Sequence, residues 1–410
     1  MKLEFLGGAR EVGRSAILVN DRLLLDYGMG SGSPPGFPVG DVAPEAVVVS
    51  HGHLDHVGTV PSLCSGDRRP PIHWTPPTRD LCRTLARDTL KLRGGTYDCP
   101  FTEMEIQRVS QVSQTHGYEE PFEAAGHEVT FYDAGHIPGS AHVLIDDGDT
   151  RLCYSGDFHT DTQRLLPAST ARPEADAVIV ESTYADVERP PRREIEASFV
   201  DAVEEALWEG GTVVVPAFAI GRTQEILMVC AAHDLPTYVD GMGQYVTRTV
   251  QQYPEFLRDP DALREAAGHA RFVDGKEGQR KRIAEESAVI VTTSGMLNGG
   301  PAMTYVPEIA GNPTNLIAMT GYQVEGTPGR ELLDTGSAPI DGDVLRVAAG
   351  VERFDFSAHA DRPGLTEFLE PYSEAELLVN HGDRCAEFAA TLRDDGYRAS
   401  APEIGETVEL

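Results

Sequence analysis

No stretch of this 410-residue chain is long and apolar enough to cross a bilayer. Apolar runs such as 177–180 and 212–215 are a few residues each, whereas a spanning helix needs about 20. A helical membrane protein is therefore excluded. The first residues enter a strand pattern at once and lack the layout of a secretory signal. Six cysteines (Cys64, Cys82, Cys99, Cys153, Cys230 and Cys385) contain no CxxC pair. Neither a disulfide framework nor a thiolate zinc site is indicated, and a reduced, cytoplasmic protein is expected. Lysine is almost absent: Lys2, Lys91, Lys276 and Lys281 are the only four among 34 basic residues, and the formal net charge is −31. Such a chain does not bind polyanions by bulk attraction, so any case for nucleic acid must come from a site. Acid excess with scarce lysine suits a protein working in molar salt, where the Debye length is about 3 Å. The length allows two or three domains with a large core.

What is present in abundance is histidine and aspartate at the ends of apolar runs. The apolar, β-branched stretch 46–49 reads as a buried strand and breaks at Ser50 into His51-Gly52-His53-Leu54-Asp55-His56. Imidazole nitrogen and carboxylate oxygen are the donors that Zn²⁺ takes. One mononuclear site rarely needs three histidines and an aspartate from one loop, so the excess points to two metals side by side. The pattern recurs downstream, where apolar runs finish at His136, Asp157, Glu181, His359 and His381. Strands that all end in a histidine or a carboxylate bring those ends to one edge of a layered sheet.

Counting donors assigns them. His51, His53 and His136 supply a first metal, Asp55, His56 and His381 a second, and the two oxygens of Asp157 can bridge. Each metal then lacks one ligand, which a shared water or hydroxide would fill. An open pair about 3.5–4 Å apart suits in-line attack on phosphorus. Two Zn²⁺ fit these donors best, although Mn²⁺ or Fe²⁺ would also accept them. Asp26, closing the run 23–25, is read either as a carboxylate that orients a ligand or as a turn-forming aspartate.

These motifs resemble a known family. His51 to His56, His136 and Asp157 are similar to the metal motifs of the metallo-β-lactamase fold. Glu181 in Glu-Ser-Thr-Tyr, His359 in Phe-Ser-Ala-His-Ala-Asp and His381 in Val-Asn-His-Gly-Asp resemble the three further motifs of its β-CASP branch, as does the stretch 215–225. Within that branch the chain is similar to the archaeal homologues of the endonuclease subunit of the cleavage and polyadenylation specificity factor. The resemblance covers essentially the whole chain. It implies an α/β fold: a four-layer αβ/βα metallo-β-lactamase sandwich with an inserted α/β β-CASP domain. It further implies a metal-dependent nuclease in which His359, with Glu181 beside it, protonates the leaving oxygen and Asp55 works alongside the cations. Imidazole held by a carboxylate keeps its proton near neutral pH, so the chemistry agrees. Histidine at position 381 is the variant associated with RNA, and single-stranded RNA is the expected partner.

Residues 1–186 and 353–410 are expected to form the metallo-β-lactamase domain and 187–352 the inserted domain. The insertion reads as alternating strands (212–215, 237–239, 288–292 and 315–319) and helices such as 223–232. Its strands lead into glycine-rich loops whose amides suit phosphate oxygens. Arg222 is a candidate clamp on the substrate, and Ser294 and Gly295 are candidate contacts. Arginines along the helical segment 78–92, and the clusters at 192–193 and 280–282, are read as solvated helix faces. A cleft between the two domains would admit a flexible single strand. The function expected is hydrolysis of RNA phosphodiester bonds in 3′-end processing or decay, leaving 3′-hydroxyl and 5′-phosphate ends. A DNA-directed nuclease, a small-substrate metallo-hydrolase and a non-catalytic scaffold are the alternatives. Endo- against 5′-exonucleolytic mode, homodimerisation and membership of an RNA-processing complex are left open.

Overall fold

The computed structural model describes residues 1–32, 34–340 and 342–410. They form two compact units, one made of 1–161, 168–188 and 359–410, the other of 162–167 and 189–358.

The first unit holds two seven-stranded sheets. In one, Thr407–Glu409, Lys2–Gly7, Ala16–Val19, Leu23–Leu25, Ala46–Val48, Ile72–Trp74 and Ser113–Thr115 lie side by side. In the other the order is Arg398–Ser400, Glu376–Asn380, Ala177–Glu181, Arg151–Tyr154, Ala141–Asp146, His127–Asp133 and Phe122–Ala124. Strand side chains alternate between faces, and here both faces are apolar because each is covered. Ile17, Val48, Ile179 and Leu378 pack into one core shared by the two sheets. Their neighbours Val47 and Leu24 turn outward onto the helical layer that carries Cys82 and Val109. On the other sheet Val178 and Val379 turn outward onto Leu365, Phe368 and Phe388 of the helices Arg362–Leu369 and Cys385–Asp394. The result is the four-layer αβ/βα sandwich.

The second unit is built on a six-stranded parallel sheet in the order Arg271–Phe272, Thr237–Asp240, Val289–Thr292, Val213–Pro216, Leu316–Met319 and Gly350–Arg353. Its central strands Val289–Thr292, Val213–Pro216 and Leu316–Met319 are buried throughout and almost wholly apolar, as strands covered on both faces must be, whereas the edge strands Arg271–Phe272 and Gly350–Arg353 are largely exposed. Helix Arg222–Ala232 follows the strand Val213–Pro216 after a short turn, and the helix Ala302–Ile309 packs Ala302, Tyr305 and Val306 into the core. Among the described residues no helix is long and apolar enough to cross a membrane.

Candidate metal centre

Every strand end singled out in the sequence as a donor to the two metals converges within the first unit. The strand Ala46–Val48 delivers the chain to Ser50, and a single helical turn, Leu54–Val57, carries Asp55 and His56. Main-chain hydrogen bonds stitch this turn to the segment after Asp26: Tyr27 N–H donates to His56 O (2.9 Å) and Met29 N–H to Leu54 O (3.0 Å). The two backbones pass so closely that a Cβ on Gly28 would sit 1.6 Å from Asp55 O, so only glycine fits there. Asp26 and His381 both occupy the left-handed region, at φ 55° and 48°. Strained backbone of this kind is tolerated where the surroundings hold it and tends to aim functional side chains.

The donors form two groups. His51, His53, His136 and Asp157 bring one ligand atom each to within 4.8 Å of one another, and Asp55, His56 and His381 do the same. Asp157 lies between them. Its Oδ2 is 3.4 Å from His51 Nε2 and 3.8 Å from His136 Nε2, while its Oδ1 is 3.4 Å from His56 Nε2 and 3.5 Å from His381 Nδ1. Nitrogen faces nitrogen at 3.0 Å between His136 Nε2 and His53 Nδ1, and at 3.2 Å between His56 Nε2 and His381 Nε2. Asp55 Oδ2 closes the second group 3.4 Å from His381 Nε2.

This donor set suits divalent cations. His51 Nε2 and Asp157 Oδ1 are buried and make no hydrogen bond, an arrangement that costs about 1–3 kcal/mol per atom unless something satisfies it. Burial drives His51 well below the usual imidazole range and His53 down to about 4, which keeps both in the neutral form that ligates. Burial also opposes charge on His56, but Asp157 and Asp26 outweigh it and lift the group well above its ordinary value. His381 follows the same pattern, with Asp157 and Asp55 as the outweighing partners. Asp157 answers in kind: burial would raise it, yet His381, His56 and His51 hold it well below the carboxylate range. A cation bound here would take the place of those protons.

Asp26 lies under both donor groups. It is fully buried and accepts from Ser50 N (2.7 Å), Ser50 Oγ (2.8 Å), Tyr154 OH (2.8 Å) and His56 Nδ1 (2.7 Å). Ser50 Oγ also meets His51 Nδ1 at 3.1 Å. One carboxylate thus sets the ring orientation of a histidine in each group. Ser50 and Tyr154 were not singled out in the sequence, although each lies within three residues of a donor.

Beside this cluster His359 Nδ1 lies 3.0 and 3.1 Å from the two oxygens of Glu181, and 4.0 Å from Asp157 Oδ2. Glu181 is held in turn by Phe158 N–H on Oε1 (3.0 Å), and its own N–H donates to Ser155 Oγ (3.0 Å). Burial lowers His359, but Glu181 outweighs it and the net direction is upward. Thr183 Oγ1 lies 3.2 Å from His381 Nδ1, a contact the sequence did not announce.

The remaining candidates lie in the second unit: Arg222 opens the helix Arg222–Ala232, and Ser294 and Gly295 lie on the loop after the strand Val289–Thr292. Arg222 is buried, and its guanidinium donates to the Thr320 carbonyl. Its charge therefore braces the loop beginning at Thr320, a role the substrate clamp expected of it did not include. Ser294 Oγ donates to Asn298 Oδ1 at 2.8 Å, and Gly295 approaches the Phe218 backbone so closely that a Cβ would lie 3.0 Å from Phe218 N. Arg280 pairs with buried Asp240 at 2.7 Å and Lys281 with Glu308 at 2.9 Å, so these basic residues are occupied structurally. His142, near the donors in sequence, lies between Ser155 O (2.7 Å) and Ser169 Oγ (2.8 Å) and packs on Phe158 and Phe368.

Fold and donor set together define a metallo-hydrolase of the metallo-β-lactamase type. Residues 22–216 match the beta-lactamase superfamily domain, 223–332 the Beta-Casp domain, and 344–402 the Zn-dependent metallo-hydrolase RNA specificity domain. The chain belongs to the β-CASP family of that superfamily. It is 36% identical over 423 residues to RNase aCSPSF2 of Saccharolobus solfataricus, covering all of this chain and 85% of that one. It is 34% identical to an RNase J-like protein of Methanocaldococcus jannaschii, covering 95% of each. Transcription termination factor FttA of the same organism is 33% identical, over 96% of this chain and 69% of its own length. A crystal structure of a protein of unknown function from Enterococcus faecalis V583 superposes with a TM-score of 0.62 at 13% identity, covering 100% of this chain and 99% of that one, which shows the shared fold.

Proposed function

We propose that this chain is a metal-dependent ribonuclease that hydrolyses single-stranded RNA at the His/Asp cluster, with two Zn²⁺ as resident cations. The observation that carries the reading is the position of Asp157, whose two oxygens face separate groups of donors. Two cations, when bound there, lower the pKa of water and neutralise charge on phosphoryl oxygens. Everything else is supplied by the chain. His51, His53 and His136 are assigned to one cation, Asp55, His56 and His381 to the other. Asp26 fixes the tautomers of His56 and, through Ser50, of His51. With Nδ1 of His359 committed to Glu181, its Nε2 delivers a proton to the departing 3′-oxygen, because an alkoxide leaves poorly unprotonated. The products are a 3′-hydroxyl and a 5′-phosphate.

RNA as substrate is supported by the RNA specificity domain matched at 344–402 and by relatives whose names are ribonucleases. A relative named as a transcription termination factor fits a role in forming RNA 3′ ends as well as in decay. Ser294 and Gly295 are assigned to the RNA backbone, with Arg222 bracing the neighbouring loop. The net charge of −31 supports high salt as the working condition. The test is incubation of the purified chain with end-labelled RNA and DNA of one sequence in molar KCl, with and without chelator. Chelator-sensitive cleavage of the RNA leaving 5′-phosphate ends is expected, and product lengths separate endo- from exonucleolytic action. Absence of cleavage, or cleavage that survives complete metal removal, contradicts the proposal.

A further inference from the structure

We infer that His159 is a positioning residue that holds the proton-donating His359 in place. The inference rests on the role assigned above to His359 and Glu181, and it concerns a histidine two residues after Asp157 to which the sequence assigned no role. His159 is buried, and its Nδ1 lies 2.9 Å from the main-chain oxygen of His359. A carbonyl oxygen only accepts, so Nδ1–H is the donor and the tautomer is set.

The neighbouring bonds explain why this contact matters. Phe158 O accepts from Ala360 N–H at 2.6 Å, so the residues on either side of the His359 peptide are tied to consecutive residues of one loop. Phe158 N–H holds Glu181 Oε1 at 3.0 Å. The dipeptide Phe158-His159 therefore grips both members of the acid pair, one by its carboxylate and the other by its backbone. It follows Asp157, the carboxylate that faces both donor groups. His159 is itself clamped, its N–H donating to Ala134 O at 2.9 Å and its carbonyl accepting from Ser169 N–H at 2.8 Å. A ring anchored in this way behaves as a strut between the loop of Asp157 and the loop of His359. His359 has no helix or strand of its own to aim it, because Ser357–Ala360 lies outside regular structure.

A strut acts through what it supports, and that defines the experiment. In H159L the side chain keeps similar bulk but cannot donate. In H159N the amide nitrogen stands one bond beyond Cγ, as Nδ1 does, and can still donate to the carbonyl. The single-turnover rate of RNA cleavage, KM, zinc content and thermal midpoint are measured for wild type, H159L, H159N, H359A and H159L/H359A. A displacement of about 1 Å in a catalytic group costs on the order of 100-fold. H159L should therefore lose about 10- to 100-fold in rate with unchanged KM and zinc, and H159N should recover most of that loss. In the H359A background H159L should cause no further loss, because the supported group is already gone. The inference is overturned if H159L cleaves at the wild-type rate, if H159N is as impaired as H159L, or if H159L slows H359A as much as it slows wild type. Loss of zinc in H159L overturns it too, since His159 would then be supporting the metal donors. Failure of the underlying reading looks different: wild type would not cleave, or H359A would cleave as wild type does.

Discussion

The substitution Asp26→Asn probes the centre without touching any assigned ligand. Asn tolerates the positive φ of 55° that Asp26 adopts, so the backbone is not strained by the change. The geometry dictates what is lost. Four donors converge on two carboxylate oxygens, Ser50 N–H on Oδ1 and Ser50 Oγ, Tyr154 OH and His56 Nδ1 on Oδ2. An amide offers one oxygen. If it faces the three donors, Ser50 N–H meets an NH₂ group and the other three bonds become neutral. If it faces Ser50 N–H, the histidine loses its acceptor altogether. Either way His56 Nδ1–H no longer meets an anion, and the basicity of its Nε2 falls. Loss of such a partner weakens metal binding about 10- to 100-fold, roughly 1.4–2.8 kcal/mol. Because Asp26 also reaches His51 through Ser50 Oγ, both donor groups should weaken in D26N. S50A removes the relay to His51 while leaving the 2.7 Å bond between Asp26 and His56, so it should weaken the His51 group more. Zinc affinity measured by competition with a chromogenic chelator decides. Wild-type affinities in D26N, or equal loss at both sites in S50A, would refute the relay.

His359→Ala should slow single-turnover RNA cleavage by about 100- to 10,000-fold, the usual worth of a general acid, with zinc content at the wild-type level; loss of zinc would make His359 a ligand. His142 gives a pH dependence. Burial pushes it down to about 3, so it is neutral in the fold and protonates near 6.5 once unfolded. Its contribution is thus present above pH about 6.5 and is lost as pH falls toward 3, by up to about 5 kcal/mol. Denaturant unfolding should therefore show the stability advantage of wild type over H142N shrinking across that window, and parallel pH curves would contradict it. The net charge of −31 predicts that the thermal midpoint rises steeply with KCl as self-repulsion is screened; a midpoint insensitive to salt would argue against high-salt conditions.

The sandwich was legible because its strands announce themselves twice. Runs such as 46–49 and 177–180 are apolar on both faces, and each ends in a side chain too polar to be buried without purpose. The donors could be grouped because metal ligation demands particular atoms in particular numbers. What the sequence concealed depends on partners distant along the chain. Arg222 reads as an anion clamp at a helix start, and its bond to the Thr320 carbonyl, 98 residues on, is not visible in the sequence. Arg280 reads as part of a basic cluster, but Asp240 lies 40 residues before it and neutralises it. Ser50, Tyr154 and His159 carry no motif of their own and matter only through the groups they bond. The segment 162–167 belongs with the second unit although it lies between two strands of the first, and nothing in its composition signals that.

Metal stoichiometry in wild type and in D157A tests most directly whether one carboxylate serves two cations. About two zinc equivalents per chain are expected in wild type. In D157A, folded by circular dichroism, loss of tight binding at both groups is expected together with loss of RNA cleavage. A wild type that saturates at one equivalent, or a D157A variant that retains two and still cleaves, would contradict a shared role for Asp157.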